Sequence, residues 1–180
     1  MMNLDDAWNW YDTTRKQLQL FGRLGRKHWD HLPWHSSLGR DDRLRDLQSD
    51  AIVTDSAFCL EHLDDFAVLI LFSVFESIVR DQVLSDVEVE KARLSHALIA
   101  RIVEEAVEQI EHGSFYQVLE DFKGRGKDGL VEEVNQVRRY RNWVAHGRRT
   151  AMPDAVDPDT AYRRLKRFLD VLGMTSDRVS

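Results

Sequence analysis

From Leu4 to about Lys27, Leu4, Trp8, Tyr11, Leu18, Phe21 and Leu24 recur at roughly helical spacing and predict an amphipathic helix. Arg26 to His35 reads as a loop, because Pro33 blocks helix continuation and Trp29 and Trp34 are suited to packing the connection onto the body. Asp41 to Asp50 is polar and predicts a short helix or ordered loop. From about Asp64 to Leu84 the pattern strengthens, with Phe66, Leu69, Ile70, Phe75, Ile78, Val79 and Val83. Between Phe66 and Phe75 apolar residues cover nearly the whole circumference, which predicts a central helix or one with a side turned to a partner.

Ser85-Asp86-Val87-Glu88 has the form of a capping box and predicts a new helix running to about His112, ended by Gly113. Its expected buried stripe is Val89, Leu94, Leu98, Ile102, Val103, Ala106 and Ile110. Ser114 is placed to cap a shorter helix, Phe115 to Lys123. Gly124 to Gly129 is a basic, flexible loop that matches neither phosphate-binding fingerprint. Leu130 opens a helix with Val131, Val134, Val137, Tyr140 and Val144 inward, which Gly147 is placed to end. Asp157-Pro158 marks the last helix start, with Tyr162, Leu165, Phe168, Leu169 and Leu172 inward, Arg163, Arg164, Lys166 and Arg167 on the other side, and Gly173 as its stop. The sum is an all-α, single-domain helical bundle of about five to six helices across residues 1–180.

Composition sharpens this picture in three places. With 43% hydrophobic and 31% charged residues, 180 residues suffice for one proper core, and only three prolines interrupt it. The net charge of −6 means that any contact with nucleic acid must come from a local basic cleft rather than from bulk charge. The amino terminus lacks the basic and apolar regions of a signal peptide, and the apolar stretch Phe66 to Phe75 is too short for a membrane span, so a cytoplasmic protein without membrane attachment is expected. The lone Cys59 reads as a small buried hydrophobe. His28, His31 and His35 do not define a metal site, since no cysteine joins them and Pro33 breaks their common helical face. His96 and His112 have neither a nucleophile nor a ligand set nearby. No metal or cofactor is expected.

The chemistry concentrates between Arg138 and Arg149, which holds five arginines and one histidine inside a segment, Val134 to Pro153, free of Asp and Glu. A guanidinium offers a fork of donors matched to phosphate oxygens, and an imidazole can serve as base or acid near neutral pH. Asn142 and His146, four apart, share a helix face. Arg141 and His146, five apart, stand about 140° around an ideal helix, so they converge on one phosphate only if the helix end distorts or two chains contribute. The plainer alternative is a basic helix C-cap with Trp143 and Val144 packing.

Arg141-Asn142-x-x-x-His146, followed by Gly147, resembles the Arg-polar-x3-His signature of HEPN domains, many of which are metal-independent ribonucleases. The resemblance covers about a dozen residues closely and the helical layout loosely. It implies a homodimer with signatures from two subunits lining one cleft, Arg141 stabilising the phosphate, His146 as acid or base, and Asn142 orienting it. The helix C-terminus suits an acid at His146. Arg138, Arg139, Arg148 and Arg149 would hold the RNA backbone. Glu76 is either an orienting partner for Arg141, as HEPN domains often carry on an early core helix, or a solvated glutamate. The implied activity is that of an endoribonuclease, a toxin or phage-defence effector; the alternative is a non-catalytic HEPN module binding a nucleotide or a partner protein. HEPN toxins neutralised by a nucleotidyltransferase antitoxin often carry a tyrosine two residues after the histidine. Here Arg148 stands there, so that route of control is in doubt and any antitoxin is of unknown type.

Overall fold

The computed structural model describes residues 2–93, 97–124 and 126–174. The expected core residue Leu94, His96, the C-terminal tail and the side chain of Leu98 lie outside what is described. Seven α-helices and no strand occur among the described residues, an all-α bundle as the periodicity predicts. They are α1 (Leu4–His28), the single turn α2 (Asp42–Arg45), α3 (Ser49–Lys91), α4 (Ala97–His112), α5 (Phe115–Glu120), α6 (Asp128–Ala145) and α7 (Pro158–Leu172).

The helix starts and stops follow local chemistry. Asn3 accepts from the Asp6 backbone while the Asp6 side chain accepts from Asn3, a reciprocal cap on α1. Asp157 caps α7 through the Thr160 N–H, and Gly173 ends that helix in the left-handed region at φ 67°. Three expected boundaries are wrong: α3 begins at Ser49 rather than near Asp64, the stretch from Ser85 to His112 is divided between α3 and α4 rather than forming one helix, and Ser85 is not a helix start. Ser85 to Glu88 do not open a helix but lie inside α3, which runs unbroken for 43 residues, about 65 Å. No glycine or proline interrupts Ser49 to Lys91, and the Asp86 carboxylate, which would be free in a cap, accepts instead from Gln82 one turn back, at 2.8 Å. A cap sequence ends nothing where the backbone has no reason to stop.

α3 is the axis of the molecule. Its first half lies along α1, where the contact is close because Gly22 and Gly25 are buried and face Ser56 and Val53. Its middle presents Val68, Leu71, Phe72, Phe75 and Val79 to α5, α6 and α7, whose Phe115, Leu119, Val131, Val134, Val137, Leu165 and Phe168 complete the core. The rings interlock edge to face, Phe75 with Phe168 at 5.4 Å and Phe72 with Phe115 at 5.7 Å.

Four expected burials fail for one reason, namely how few elements lie beside them. Cys59 is exposed, because the first half of α3 is flanked mainly by α1. Val89, Ile102 and Ala106 are exposed, because α4 packs chiefly on α3 alone and only a strip including Val103 and Ile110 is partly covered. Phe66 is likewise 56% exposed, so the apolar circumference of α3 is incompletely covered within the chain. Trp29 and Trp34 pack edge to face on each other at 4.9 Å, with the Trp34 indole N–H donating to the Trp29 carbonyl. No helix among the described residues is long and apolar enough to cross a membrane.

Two stability tests follow from this packing. A Cβ on Gly25 would lie 2.9 Å from Val53 Cγ2 and 3.0 Å from the Ser49 carbonyl oxygen, whereas one on Gly129 in α6 meets nothing. In urea unfolding, Gly25→Ala therefore lowers stability by about 1–3 kcal/mol, and Gly129→Ala raises it by about 0.5–1 kcal/mol. A further tie joins α1 to α7, with Asp5 accepting from Lys166 Nζ at 2.6 Å and from the Tyr162 hydroxyl at 2.7 Å. The Lys166 ammonium, then the Tyr162 hydroxyl, hold the Asp5 carboxyl below its ordinary value. A depressed carboxylate stabilises the fold above the unfolded value, about pH 4, and that contribution disappears as the pH falls through the folded one. Asp5→Asn is therefore less stable than the wild type at pH 7, and the difference between their thermal melts narrows as the pH falls below about 4.

Candidate functional site

The chemistry-bearing segment forms the C-terminal half of α6 and the turn beyond it. His146 ends the helix, Gly147 takes φ 71° and Arg148 takes φ 58°. The Arg148 N–H donates to the Trp143 carbonyl at 2.9 Å and the Gly147 N–H to that of Val144 at 3.0 Å. This pair of bonds is a Schellman closure. Gly147 suits its left-handed position, but Arg148 occupies such a position at a steric cost.

α6 divides its polar residues between two faces. Arg139, Asn142, Trp143 and His146, at the i, i+3, i+4, i+7 spacing of a helical stripe, look outward. With Arg149, Thr150, Ala151 and Pro153 of the returning loop they line an open groove of about 480 Å³. The loop is pinned by the Trp143 indole N–H, which donates to the Thr150 carbonyl at 3.0 Å. His146 is exposed, and Arg139 pairs with Glu132 at 2.6 Å on the groove wall.

Arg141 points the other way. Its guanidinium lies 5.4 Å from the centre of the Phe72 ring and 3.6 Å from the Glu76 carboxylate, both on α3, and it donates to Asn142 Oδ1 at 3.0 Å. Glu76 also holds Arg80, at 2.8 Å. Arg80 in turn donates to the carbonyls of Gly113, at 3.0 Å, and Ile110, closing the C-terminus of α4, and covers the Phe115 ring. Glu76 therefore sits between two guanidiniums, with its side chain only 22% exposed. The Asn142 carboxamide oxygen is turned to Arg141.

The remaining arginines separate further. Arg148 pairs with Asp65 of α3, which also accepts from the Tyr140 hydroxyl at 2.7 Å. Burial, then the nearby Asp64 charge, push the Tyr140 hydroxyl up, so it stays a donor. Arg148 also covers the Trp143 ring, at 5.3 Å. Arg138 lies outside the groove, over the Tyr116 ring at 4.9 Å, with its Nε donating to Asn135 at 3.0 Å. Arg149 lines the groove without an ion pair among the described residues. The segment that is free of acids in sequence is therefore met by acids in space: Arg139, Arg141 and Arg148 each face a carboxylate.

The groove thus gathers His146, Asn142, Arg139 and Arg149, while Arg141 and Glu76 meet at the α3 junction and Arg138 and Arg148 are engaged elsewhere. Sequence reasoning overlooked Asp65, Arg80 and the placement of Trp143. The i, i+4 spacing of Glu76 and Arg80 was a signal for one, and the stripe spacing of Arg139, Asn142, Trp143 and His146 for another. Asp65 had no local signal, because its partners lie far along the chain. No protein-family model, curated protein or solved structure matches the chain. What the site can do rests on its own residues.

Removing Glu76 leaves two partly buried guanidiniums without their carboxylate. Glu76→Ala is expected to lose about 1–3 kcal/mol in urea unfolding, whereas Asp12→Ala, which breaks an exposed pair with Lys16, changes stability by less than about 0.5 kcal/mol.

Proposed function

We propose that this chain is a HEPN-type, metal-independent endoribonuclease that works as a homodimer in the cytoplasm, as a toxin or phage-defence effector. The observation that carries the reading is the complete Arg141-Asn142-x3-His146 signature at the end of α6, with His146 exposed at a groove that Arg139 and Arg149 line. In the reaction a base takes the proton of the 2′-hydroxyl, and the 2′-oxygen forms a bond to the adjacent phosphorus. The bond from phosphorus to the 5′-oxygen breaks and that oxygen takes a proton, leaving a 2′,3′-cyclic phosphate and a 5′-hydroxyl. His146 moves one of these protons, and Arg141 stabilises the charge on the phosphorane. Arg149 and Arg139 line the groove for the backbone.

Within one chain Arg141 and His146 lie on different sides of α6. In the proposed dimer the two groups need not come from the same subunit, since signatures from both line one cleft. A second reading, a HEPN module that binds a nucleotide or a partner protein without turnover, is favoured by one observation. Arg141 is engaged by Glu76 and Asn142, as a structural arginine would be.

Pure protein is expected to cleave a mixed RNA in EDTA and to leave 2′,3′-cyclic phosphate ends. His146→Ala and Arg141→Ala should each slow cleavage by about 10²–10⁴-fold. Mixing the two inactive variants, each carrying the other's lost residue, should restore part of the activity if the cleft is shared. No cleavage of any RNA by the wild type would leave the binding module standing. Cleavage that survives both substitutions would assign the activity to another site or to a contaminant.

A further inference from the structure

Trp143 has a placement that packing alone does not require. Trp143 lies on the outward stripe of α6, one turn from His146, and lines the open groove rather than the core. It is nonetheless fixed from several directions. Its N–H is tied to the Thr150 carbonyl at 3.0 Å, Arg148 covers part of the indole at 5.3 Å, and Tyr140 stands 5.8 Å away at 38°. Arg148 is itself anchored to Asp65. The portion of the ring left uncovered faces a groove whose other walls carry Arg139, Arg149, Asn142 and His146.

A rigid aromatic surface in a groove edged by guanidiniums is the arrangement that holds single-stranded nucleic acid, where a base stacks on the ring while cations follow the phosphates. The volume, about 480 Å³, falls within the range of pockets that take ligands of nucleotide size. Paired RNA cannot use such a platform, because its bases are already stacked and its major groove is deep and narrow. We propose that Trp143 is a base-stacking platform beside His146, with Arg149 and Arg139 on the flanking phosphates, so that the site takes unpaired rather than duplex RNA. This rests on the ribonuclease reading for its substrate class and deepens it. Trp143 is a binding residue here, and His146 keeps the chemistry.

The test uses a 2′-fluoro single-stranded oligonucleotide, which cannot be cleaved through a 2′-hydroxyl, and follows binding by fluorescence anisotropy. Trp143→Ala should weaken binding by about 5- to 150-fold, the range of one base–aromatic stack. Trp143→Phe should keep most of the affinity although it loses the bond to Thr150. A blunt duplex of the same sequence should bind more weakly than the single strand. Because Trp143→Ala could disturb the loop, the wild type is also scanned with oligonucleotides bearing a single abasic position. One position should lower affinity for the wild type and have no effect on Trp143→Ala. Equal binding of single strand by wild type and Trp143→Ala, equal binding of duplex and single strand, or a flat abasic scan would each overturn the platform. The two readings fail separately. Trp143-dependent binding with no cleavage of natural RNA would sink the ribonuclease and keep the platform. Cleavage in EDTA that Trp143→Ala leaves unchanged would do the reverse.

Discussion

The carboxylate of Glu76 is the point on which the assembly of the site depends. It lies on the central helix, is mostly covered, and faces two guanidiniums, Arg80 and Arg141, each of which also lies over a phenylalanine ring of the core. Through Arg80 it holds the C-terminus of α4, and through Arg141 it adds a polar contact to the buried Val131, Val134 and Val137, which together set the rotation of α6 about its own axis. That rotation decides everything on the opposite face. With Arg141 held inward, Arg139, Asn142, Trp143 and His146 must look outward, because a helix offers no other solution at that spacing. A half-buried charge is worth little as a source of net stability, but it is costly to strip of its partner, so it specifies one arrangement.

The same logic explains why five clustered arginines do not make a uniform positive surface. The chain supplies no acid between Val134 and Pro153, yet α3 and the start of α6 bring Glu76, Asp65 and Glu132 against three of them. What remains for an external anion is narrower, chiefly Arg149 together with the face of Arg139 that Glu132 leaves open. If the site takes RNA as proposed, it would hold a short stretch of backbone and gain the rest of its affinity from contacts other than charge, and the ordered indole beside the histidine would be such a contact.

Much of the fold was legible because its boundaries are written in backbone chemistry. Gly147, Gly173 and Asp157-Pro158 end or start helices whichever neighbours surround them, and Val131, Val134 and Val137 follow a period that only one core can satisfy. The errors arose where the outcome depends on distant parts of the chain. Ser85 to Glu88 carry the letters of a cap, but an uninterrupted helix on both sides makes continuation the cheaper choice. Ile102 and Cys59 are apolar enough to be buried, but the chain places too few elements over them. In the site, the 140° between Arg141 and His146 was readable from spacing alone. That Trp143 belongs to the groove and that Asp65 holds Arg148 were not, since both require knowing which side of α6 is covered.

That division of α6 limits how the signature can act. A guanidinium turned to α3 and an imidazole at the outward end of the helix cannot both reach one phosphate by side-chain rotation within a fixed helix. Asn142 is the residue between them, and its oxygen is committed to Arg141. Distorting the helix end would have to break the Schellman closure at Gly147 and Arg148 and release the Trp143 bond to Thr150, which together define the groove. In the proposed dimer this closure stays intact, and the rearrangement is confined to a side chain, the partner's arginine turning from its own Glu76 and Asn142 towards the histidine. Arg148 lies in the left-handed region with its N–H bonded to the Trp143 carbonyl and its guanidinium paired with Asp65, so the turn is held at both its backbone and its side chain. Arg139 and Arg149 already line the groove and only Arg141 is turned away from it, so in the proposed ribonuclease completion across a two-fold axis disturbs less of the groove than movement of the helix end would.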